Sequence, residues 1–369
     1  MSKPTIVHVI HSTSFGGGPN MLAILCVRLA GEFNMEVVSD GQGDVPKRLE
    51  SAGIKVHRLD LTTKWSFSRN IPTLAALVRS RRPDLVQLHG QFAGSLGQLA
   101  LVAAGRPKSI YHVQWPSFLD DTGPWSRLRN RAAELVSCGG ATAVVAVSEN
   151  DRAEYLRRKL CRPAKISVIH NAFSLDIEQM APPPPPDGKV VGFVGRLSDQ
   201  KGVEYLIRAA PRVLARHPAT KFVLVGDGPE RSRLEGLARS LGVASAIEFA
   251  GYQAQPSEWI KESTVMAIPS IYDPFPLVTL EIMALGRPVV ASAVGGIPEA
   301  VDNGATGILV PPRDPEAIAD AIDRLLDSPA LASQMGEAAR VRAREKFSPD
   351  AISAQFASLY RRLLAKASS

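Results

Sequence analysis

The chain has 369 residues, a length at which single hydrophobic cores stop growing, so two domains are expected. Its apolar fraction of 45% is ordinary for a globular protein, and its longest uncharged apolar stretch is too short to span a bilayer. No signal or transmembrane segment is therefore expected. Three cysteines at unrelated spacings indicate reduced thiols in a cytoplasmic protein, and they fit neither a disulfide framework nor a zinc site.

The net charge of +7 is unevenly distributed along the chain. Residues 1–187 hold 22 Lys and Arg against 16 Asp and Glu, so most of the excess lies in the first half. We expect this half to face an anionic partner.

The first half alternates short apolar runs with helical patterns, which is typical of βαβ units around a parallel, doubly wound sheet. Strands are predicted at Thr5–Ile10, Met35–Ser39, Ile54–Leu59, Asp84–His89, Ser109–Val113, Ala143–Ser148 and Lys165–Ile169. Helices are predicted at Pro19–Gly31, Arg69–Ser80, Phe92–Ala104 and Glu149–Leu160.

A proline run over residues 181–187 can only adopt extended polyproline II, so it predicts a stiff spacer. It separates a first domain over residues 1–181 from a second over residues 187–348. The second domain repeats the alternation, with strands predicted at Val190–Gly195, Phe222–Gly226, Ile247–Phe249, Val265–Ile268 and Pro288–Ala291. Its helices are predicted at Val203–Arg216, Glu230–Leu241, Thr279–Leu285, Asp314–Leu326 and Ala330–Phe347, followed by Pro349–Lys366.

A glycine-rich turn follows the first predicted strand, at the edge where open parallel sheets bind their ligands. Gly16, Gly17 and Gly18 lead into a helix that starts with Pro19, so bare backbone can approach an anion at a helix N-terminus. The spacing is neither the dinucleotide fingerprint nor a P-loop. Many βα turns need glycine for their geometry alone, and that alternative stays open.

The loop after the first strand of the second half carries Arg196 and Lys201, five residues apart. Two cations in such a loop can hold both phosphates of a diphosphate, Arg by bidentate bonds and Lys as a point charge. The alternative is a pair of solvated loop cations. Gly226, after the next strand, is a candidate for lining a nucleoside, although turn geometry alone also explains it.

Two carboxylates stand in the stretch 270–288. Asp273 lies in a proline-bracketed loop, and Glu281 follows eight positions later within a run of good helix formers. The start of this helix points backbone N–H groups at whatever lies over it, and its dipole favours a phosphate. About one turn inside the helix, Glu281 can accept hydrogen bonds from ribose hydroxyls. A loop acid followed by a solvated helical Glu is the structural alternative.

Two histidines end neighbouring predicted strands. We assign His89 a structural role, whereas His112, with Gln114 and Trp115 beside it, is the candidate site residue. No Asp-x-Asp clamp follows a strand, so no metal is expected, because Arg196 and Lys201 can neutralise the phosphates.

Jointly and in this order, the motifs resemble the retaining glycosyltransferases of the GT-B class known as family 4. The strongest matches are Val194–Leu197 with Lys201-Gly202, Val225–Pro229, Pro269-Ser270, the Asp273 to Glu281 spacing with Met283–Val289, and Val294–Glu299. Weaker matches are Gly16–Gly18, His112, Val147–Glu149 and Ile169–Asn171. The resemblance covers nearly the whole chain.

The resemblance implies an α/β fold of GT-B architecture, with two Rossmann-like domains whose parallel sheets face each other across a cleft. The helix over residues 349–369 would cross back onto the first domain. A nucleotide-sugar donor would be held mainly by the second domain, without a further cofactor. Its diphosphate would contact Arg196, Lys201, Gly17, Gly18, Leu277 and Val278, and its ribose would contact Glu281.

The catalytic residues implied by the resemblance are Asp273 and His112, beside the transferred sugar. The remaining pocket residues, for the nucleoside or the sugar, are Gly16, Gly226, Tyr252, Phe275, Pro276 and Asn171. Two departures fall on the sugar side: Asp273 replaces the usual Glu and is shorter by ~1.5 Å, and Pro276 replaces a glycine and removes one N–H donor.

The function implied is transfer of a hexose-type sugar, with retention, from a nucleotide-diphosphate sugar to a carbohydrate or lipid-linked acceptor in bacterial cell-surface glycan or glycolipid synthesis. Two alternatives remain: a nucleotide-sugar 2-epimerase of the same architecture, and a non-catalytic partner subunit that binds a nucleotide sugar.

The first domain, which would bind the acceptor, carries residues that suit a peripheral contact with anionic lipid at the cytoplasmic membrane face. The residues that suit it are the arginine-rich segment 125–136 with Lys64, Trp65, Phe67 and Arg69. The alternative is a solvated arginine face. No nucleic-acid partner is expected.

Overall fold

The computed structural model describes residues 3–14, 16–116, 123–181, 183–184, 186 and 188–365. The chain divides into two compact units, Met1–Ala172 with Pro349–Ser369, and Phe173–Ser348. Each unit contains one parallel sheet, of seven strands in the first and six in the second. The predicted α/β fold with two parallel-sheet domains is confirmed.

The strands, numbered in chain order, are β1 Thr5–Ile10, β2 Asn34–Ser39, β3 Lys55–Arg58, β4 Leu85–His89, β5 Ser109–His112, β6 Ala143–Ala146, β7 Ile166–Val168, β8 Val190–Val194, β9 Lys221–Val225, β10 Ile247–Gly251, β11 Val265–Ile268, β12 Val289–Ser292 and β13 Ile308–Val310.

The helices are α1 Gly17–Leu29, α2 Val45–Ser51, α3 Lys64–Arg81, α4 Gly90–Ala103, α5 Pro124–Gly140, α6 Glu149–Arg157, α7 Leu175–Glu178, α8 Val203–Arg216, α9 Arg231–Ser240, α10 Pro256–Glu262, α11 Leu277–Ala284, α12 Ile297–Ala300, α13 Pro315–Asp327, α14 Pro329–Lys346 and α15 Pro349–Ala365.

The first sheet has the strand order β3-β2-β1-β4-β5-β6-β7. Its central strands are buried on both faces, which explains their nearly continuous apolar sequences. The direction of winding reverses between β1 and β4, and ligands of such sheets bind beyond the carboxyl ends of the strands at that switch point. A ligand of this sheet would therefore contact the loops after β1, β4 and β5.

The C-terminal helix α15 belongs to this first unit. Its apolar face is buried, and the hydroxyl of Tyr360 donates to Gln87 Oε1 at 2.5 Å in the interior. Two surface ion pairs add to the contact, Arg28 with Asp350 at 3.1 Å and Arg361 with Glu32 at 2.6 Å. Burial of the apolar face outweighs these exposed pairs, which contribute at most about 1 kcal/mol each.

The second sheet has the strand order β10-β9-β8-β11-β12-β13, so its switch point lies between β8 and β11. Its core is made by the apolar faces of α8 and α13 against the strands. Within α8 the buried positions include Val203, Leu206, Ile207, Ala210 and Val213, the spacing of one face of a helix.

The boundary between the units lies between Ala172 and Phe173, before the proline run that we expected to form it. Residues 173–181 group with the second unit because Leu175 and Ile177 of α7 are buried there. Within the run, the Pro184 carbonyl accepts a hydrogen bond from Arg287 at 2.6 Å, which ties the run to the second unit. Residues 182, 185 and 187 lie outside the described part of the chain.

Every predicted strand and helix has a counterpart in the structure, and most differences between prediction and structure lie at the ends of the elements. Helix α3 begins at Lys64 rather than Arg69, because Thr63 and Ser66 form a capping box ahead of it. The elements that the sequence patterns did not predict are α2, α5, α7, α10, α12 and β13.

The sequence pattern does not predict helix α5, because this helix exposes apolar side chains and buries polar ones. Its exposed side carries the apolar residues Trp125, Leu128, Leu135 and Val136, whereas its buried side carries Asn130, Glu134 and Ser137. The inward polar groups are satisfied locally: Tyr111 and Tyr155 each donate to Glu134 at 2.8 Å. From the amphipathic pattern alone, the apolar face of this helix would be predicted to face the core, whereas in the structure it is exposed.

Of the predicted lipid-facing residues outside α5, Trp65 is exposed but Phe67 is fully buried in the first core. Phe67 is two residues beyond Trp65 on α3 and so points to the opposite side. The Lys64 side chain lies outside the described residues. No helix in the described ranges combines the length and the apolar character needed to cross a bilayer.

Candidate active site

Glycines allow close backbone contacts between the loops at the carboxyl edge of the second sheet. Gly202 follows β8 with φ +61°, and a Cβ atom there would overlap the carbonyl oxygen of Pro269 after β11. Gly295 follows β12 with φ +53°, and a Cβ atom there would overlap the carbonyl oxygen of Asp273. Because only glycine permits these backbone contacts, the loops after β8, β11 and β12 are fixed against one another.

The close approach brings Lys201 and Asp273 together. Lys201 Nζ donates to Asp273 Oδ2 at 2.5 Å, and the two side chains are 22% and 6% exposed. The backbone of Asp273 is also held, since Gly296 N donates to its carbonyl at 3.1 Å. Sequence analysis assigned the two residues separate roles, one on the diphosphate and one on the sugar. In the structure they form one charge-assisted pair.

Arg196, in the same loop as Lys201, is exposed, and within the described ranges it makes no ion pair with an acidic residue. Its guanidinium is therefore available to a ligand, whereas the charge of Lys201 is already engaged by Asp273. The loop thus offers one free cation and one paired cation.

Helix α11 starts beside this pair. Its N-cap is Pro276, which makes no side-chain cap hydrogen bond, so the first N–H groups of the helix, those of Leu277 and Val278, have no partner from a cap. Three buried hydroxyls of this region, those of Ser270, Thr279 and Ser292, have no hydrogen-bond partner among the described residues. Donors without partners at a helix N-terminus suit an anionic or hydroxyl-bearing ligand.

Glu281 is half-buried in the second turn of α11, next to α7. Burial is the main cause that raises the pKa of its carboxyl to about 7; a hydrogen bond from Ser174 opposes the shift, and the nearby Asp176 carboxylate adds to it. Near neutral pH this carboxyl is therefore part carboxylate and part carboxylic acid. Both forms can bond to hydroxyl groups, the carboxylate as acceptor and the acid as acceptor and donor.

The other predicted pocket residues of this unit differ in placement. Tyr252 follows β10 and is exposed. Phe275 is buried and packs edge-to-face on Phe347 with ring centroids 5.5 Å apart. Gly226, with φ +134°, is explained by backbone contact, because a Cβ atom there would overlap the carbonyl oxygen of Gly195.

In the first unit, the glycine-rich turn leads directly into α1. Gly16, with φ +109°, caps the helix, and Gly17 and Gly18 form its first turn. Asn171 lies near the end of the first unit, and its side chain is buried. The turn is followed by Pro19, which suits the first turn of a helix.

His112 ends its strand as predicted, but its side chain is buried within the sheet. It is the last residue of β5, is fully buried, and its Nδ1 lies 3.4 Å from Gln87 Nε2 while its ring packs on Phe356. Burial lowers the pKa of its imidazole to about 4. Strand ends were predicted correctly, but the last strand residue still lies under the loop that follows.

Gln114, two residues later, lies at this edge. It is half-buried and lies against Gly18 of the glycine-rich turn and close to Gly90 at the start of α4. Sequence analysis named Gln114 only as a neighbour of His112. The signal that identifies it is its position, since residues two apart along an extended chain point to the same side.

Within the described residues, no three His, Cys, Asp or Glu side chains are arranged to hold a metal ion. Arg196 and Lys201 carry positive charge at the carboxyl edge of the second sheet.

Comparison with known proteins covers both units. The model of the glycosyl transferases group 1 matches residues 176–342, and that of a glycosyl transferase 4-like domain matches residues 7–172. The D-inositol 3-phosphate glycosyltransferase of Streptomyces scabiei is 30% identical over 94% of this chain and 87% of its own length. An uncharacterized glycosyltransferase of Methanocaldococcus jannaschii is 41% identical over 47% of this chain and 45% of its own length, so the matched part of this chain spans about half of that relative.

Among solved structures, Anabaena HepE in complex with UDP and glucose has the same fold. Its TM-score is 0.84 at 24% identity, with 97% of this chain and 100% of that chain covered.

Glu281 gives a prediction about stability and pH. Its pKa is 4.5 in an unfolded chain and about 7 in the folded protein, so the folded state binds the proton more tightly. The contribution of this group to stability therefore falls as pH rises from about 4.5 to 7. Glu281→Gln should raise the melting temperature more at pH 8 than at pH 5, measured by calorimetry against wild type at each pH. Glu345→Gln, an exposed position on α14, serves as control; an equal effect at both pH values in Glu281→Gln would contradict a raised pKa.

Proposed function

The chain belongs to the GT-B glycosyltransferases that share the group 1 family model, and we propose that it transfers a hexose-type sugar, with retention, from a nucleotide-diphosphate sugar to a carbohydrate or lipid-linked acceptor. We place this reaction in the synthesis of bacterial cell-surface glycans or glycolipids. The observation that carries the proposal is the Lys201–Asp273 pair at the start of α11, with Arg196 in the same loop.

The charges of this group suit the breaking of a bond between a sugar and a diphosphate. As the bond breaks, negative charge grows on the leaving diphosphate, where Arg196, Lys201 and the start of α11 stabilise it. Positive charge grows at the anomeric carbon, where the Asp273 carboxylate stabilises it. Lys201 donates a hydrogen bond to Asp273 and lies in the same loop as Arg196. It therefore lies between the carboxylate that faces the anomeric carbon and the arginine that faces the diphosphate. No metal is required for this balance.

Glu281, about one turn into α11, suits the ribose of the donor. Its mixed protonation near neutral pH fits hydroxyl partners, which both donate and accept hydrogen bonds. The complex of HepE with UDP and glucose supports a nucleotide-sugar donor. The name of the Streptomyces scabiei relative makes D-inositol 3-phosphate a candidate acceptor for this chain.

The direct test is a thermal-shift screen of nucleotide sugars, followed by product analysis with and without a panel of acceptors that includes D-inositol 3-phosphate. We expect one donor to stabilise the protein and to be consumed with acceptor, in the presence of EDTA. Interconversion of donors without acceptor would indicate an epimerase instead. Loss of activity in EDTA that magnesium or manganese restores would contradict metal-independent transfer.

Arg196→Ala and Lys201→Ala should each weaken binding of the free nucleotide diphosphate of that donor by at least about tenfold, or ~1.4 kcal/mol, measured by calorimetry. Lys201→Ala should cost more, because it also leaves the Asp273 carboxylate buried and unpaired near the phosphates.

The double variant Lys201→Ala/Asp273→Asn should therefore regain part of the affinity that Lys201→Ala loses. Lys221→Ala, at the opposite end of the second sheet, is the matched control and should bind as wild type does. Unchanged affinity in both single variants would place the diphosphate elsewhere.

Asp273→Asn keeps the shape of the side chain and removes its charge. It should cut turnover by about a hundredfold or more without weakening binding of the nucleotide diphosphate, as expected for an interaction made mainly in the transition state. Asp273→Glu should not improve turnover, because the backbone of Asp273 is fixed against Gly295 and its carboxylate already reaches Lys201. Turnover and nucleotide affinity are measured on the same preparations; full activity in Asp273→Asn would make Asp273 a structural loop residue.

We also propose that the first unit contacts an anionic membrane surface through α5. Trp125 and Leu128 are 83% and 60% exposed, and Trp65 at the start of α3 is 86% exposed. Aromatic and aliphatic side chains flanked by arginines suit the boundary between headgroups and acyl chains. The arginines of the segment are Arg127, Arg129 and Arg131.

Wild type should sediment weakly with vesicles of phosphatidylglycerol and phosphatidylcholine and not with phosphatidylcholine alone, and the binding should vanish at high salt because charges act over a Debye length, ~8 Å at physiological ionic strength. Replacing Arg127, Arg129 and Arg131 together by Gln should abolish it. The control makes the same charge change on the second unit, at Arg208, Arg239 and Arg324. Equal sedimentation with both vesicle types at low salt would indicate a solvated arginine face.

A further inference from the structure

Two of the three cysteines meet within the first unit, although they are 23 positions apart along the chain. Cys138 lies in the last turn of α5 and is buried, whereas Cys161, four residues after α6, is half-buried. Cys161 packs against the apolar cluster that contains Cys138, and the two thiols are hydrogen-bonded to each other. Sequence spacing did not predict this contact, because it is a tertiary contact between separate elements.

The segment after α6 is held against α5 on both sides of the thiol contact. On one side, the guanidinium of Arg131 on α5 donates to the carbonyl of Arg158 at 3.4 Å. On the other side, Lys165 Nζ donates to the carbonyls of Gly139 and Ala141 at 3.1 and 2.8 Å, at the end of α5. These anchors limit the movement of the two sulfur atoms relative to each other, and a disulfide forms without strain only between cysteines that are already close.

The two thiols differ in acidity. The hydrogen bond from the Cys138 thiol lowers the pKa of the Cys161 thiol; burial opposes this shift, and the Lys165 ammonium adds to it. The same hydrogen bond raises the pKa of the Cys138 thiol, as do its burial and repulsion from Glu134, one turn earlier on α5. The thiolate therefore forms on Cys161, the more accessible of the two sulfur atoms, and the thiolate is the form that attacks an oxidant.

The third cysteine, Cys26, has none of these features. It is fully buried in α1, and burial raises the pKa of its thiol well above the ordinary value. A buried thiol of this kind is inert. Cys26 is therefore an internal control, which should stay reduced under conditions that oxidise Cys161.

We propose that Cys138 and Cys161 form a reversible disulfide when the protein reacts with a peroxide, and that this bond ties the segment after α6 to α5. The inference does not depend on the proposed function. It gives two of the cysteines a redox role, whereas their spacing in the sequence indicated three unrelated thiols.

The oxidation has two steps. In the first, the Cys161 thiolate attacks one oxygen of the peroxide; the O–O bond breaks, the other oxygen takes up a proton and leaves as water or an alcohol, and Cys161 becomes a sulfenic acid. In the second, the Cys138 sulfur attacks the sulfur of the sulfenic acid; the S–O bond breaks, and the hydroxide leaves as water with the Cys138 proton. The peroxide accepts two electrons, and the two thiols become one disulfide.

The first test counts free thiols in denatured protein after native wild type has been treated with hydrogen peroxide. Untreated protein should show three free thiols and treated protein one, that of Cys26, and a dithiol reductant should restore all three. Peptide mapping should show the peptide of Cys138 linked to that of Cys161 within one chain. A sulfinic acid on Cys161 beside a free Cys138, or a link between two chains, would overturn the proposal.

Two variants separate the pair from the third cysteine. Cys161→Ser conserves the size of a half-buried side chain, and after peroxide treatment it should keep both of its remaining thiols. Cys26→Ala is the matched control, because it removes the cysteine outside the pair; treatment should leave it with no free thiol. Loss of thiols in Cys161→Ser as large as that in wild type would show that peroxide reacts without the pair and would contradict the proposal.

A second readout is thermal stability. The disulfide closes the loop between positions 138 and 161, so it should raise the melting temperature of the first unit by about 5 to 10 °C. Calorimetry of peroxide-treated wild type, before and after reduction, measures this difference, and Cys161→Ser should show none. No rise, or a fall, in the linked protein would show that the native fold does not place the two sulfur atoms for this bond.

Discussion

The ion pair of Lys201 and Asp273 depends on backbone contacts that only glycine permits. Asp273 comes after β11 and Lys201 after β8, and the two are 72 residues apart along the chain. Their side chains meet because the carbonyl of Asp273 lies against Gly295 and the carbonyl of Pro269 lies against Gly202. A methyl group at either glycine would separate the loops, and a charge-assisted bond weakens steeply with distance. The Lys201–Asp273 ion pair therefore depends on glycine at positions 202 and 295.

Both units place their polar groups by the same rule of topology. In each sheet the order of strands reverses near the middle, at β1 and β4 in one and at β8 and β11 in the other. Loops diverge at such a point and leave room for a ligand beyond the carboxyl ends of the strands. Gly16–Gly18 and Gln114 lie at the first of these edges, and Arg196, Lys201 and Asp273 lie at the second. The shared architecture explains why chemistry-bearing residues follow strands in both halves of the sequence.

Sequence patterns predicted the strands well because central parallel strands are buried on both faces and form unbroken apolar runs. They also predicted which loops carry charge. They did not predict the pairing of Lys201 with Asp273, since this depends on contacts between loops that are distant in sequence. They placed His112 at a strand end correctly, but a strand pattern does not tell whether the last side chain is covered, and that of His112 is buried. Phe275 is buried too, because the loop that carries Asp273 turns its aromatic residue into the core.

Burial explains why the two edges differ in charge. An ionised group survives away from water only with a partner, as Asp273 does with Lys201, and an imidazole without a partner gives up its proton. The buried histidines of β1, β4 and β5 are therefore neutral, and the groups next to them at the edge, Gln114 and the backbone of the glycine-rich turn, are neutral too. In the second unit Asp273 is compensated by Lys201, whereas Glu281, which has no cation beside it among the described residues, is held partly protonated near neutral pH. A diphosphate needs charged partners and a neutral hydroxyl group does not, so the edge of the second sheet suits a diphosphate and the edge of the first suits hydroxyl groups.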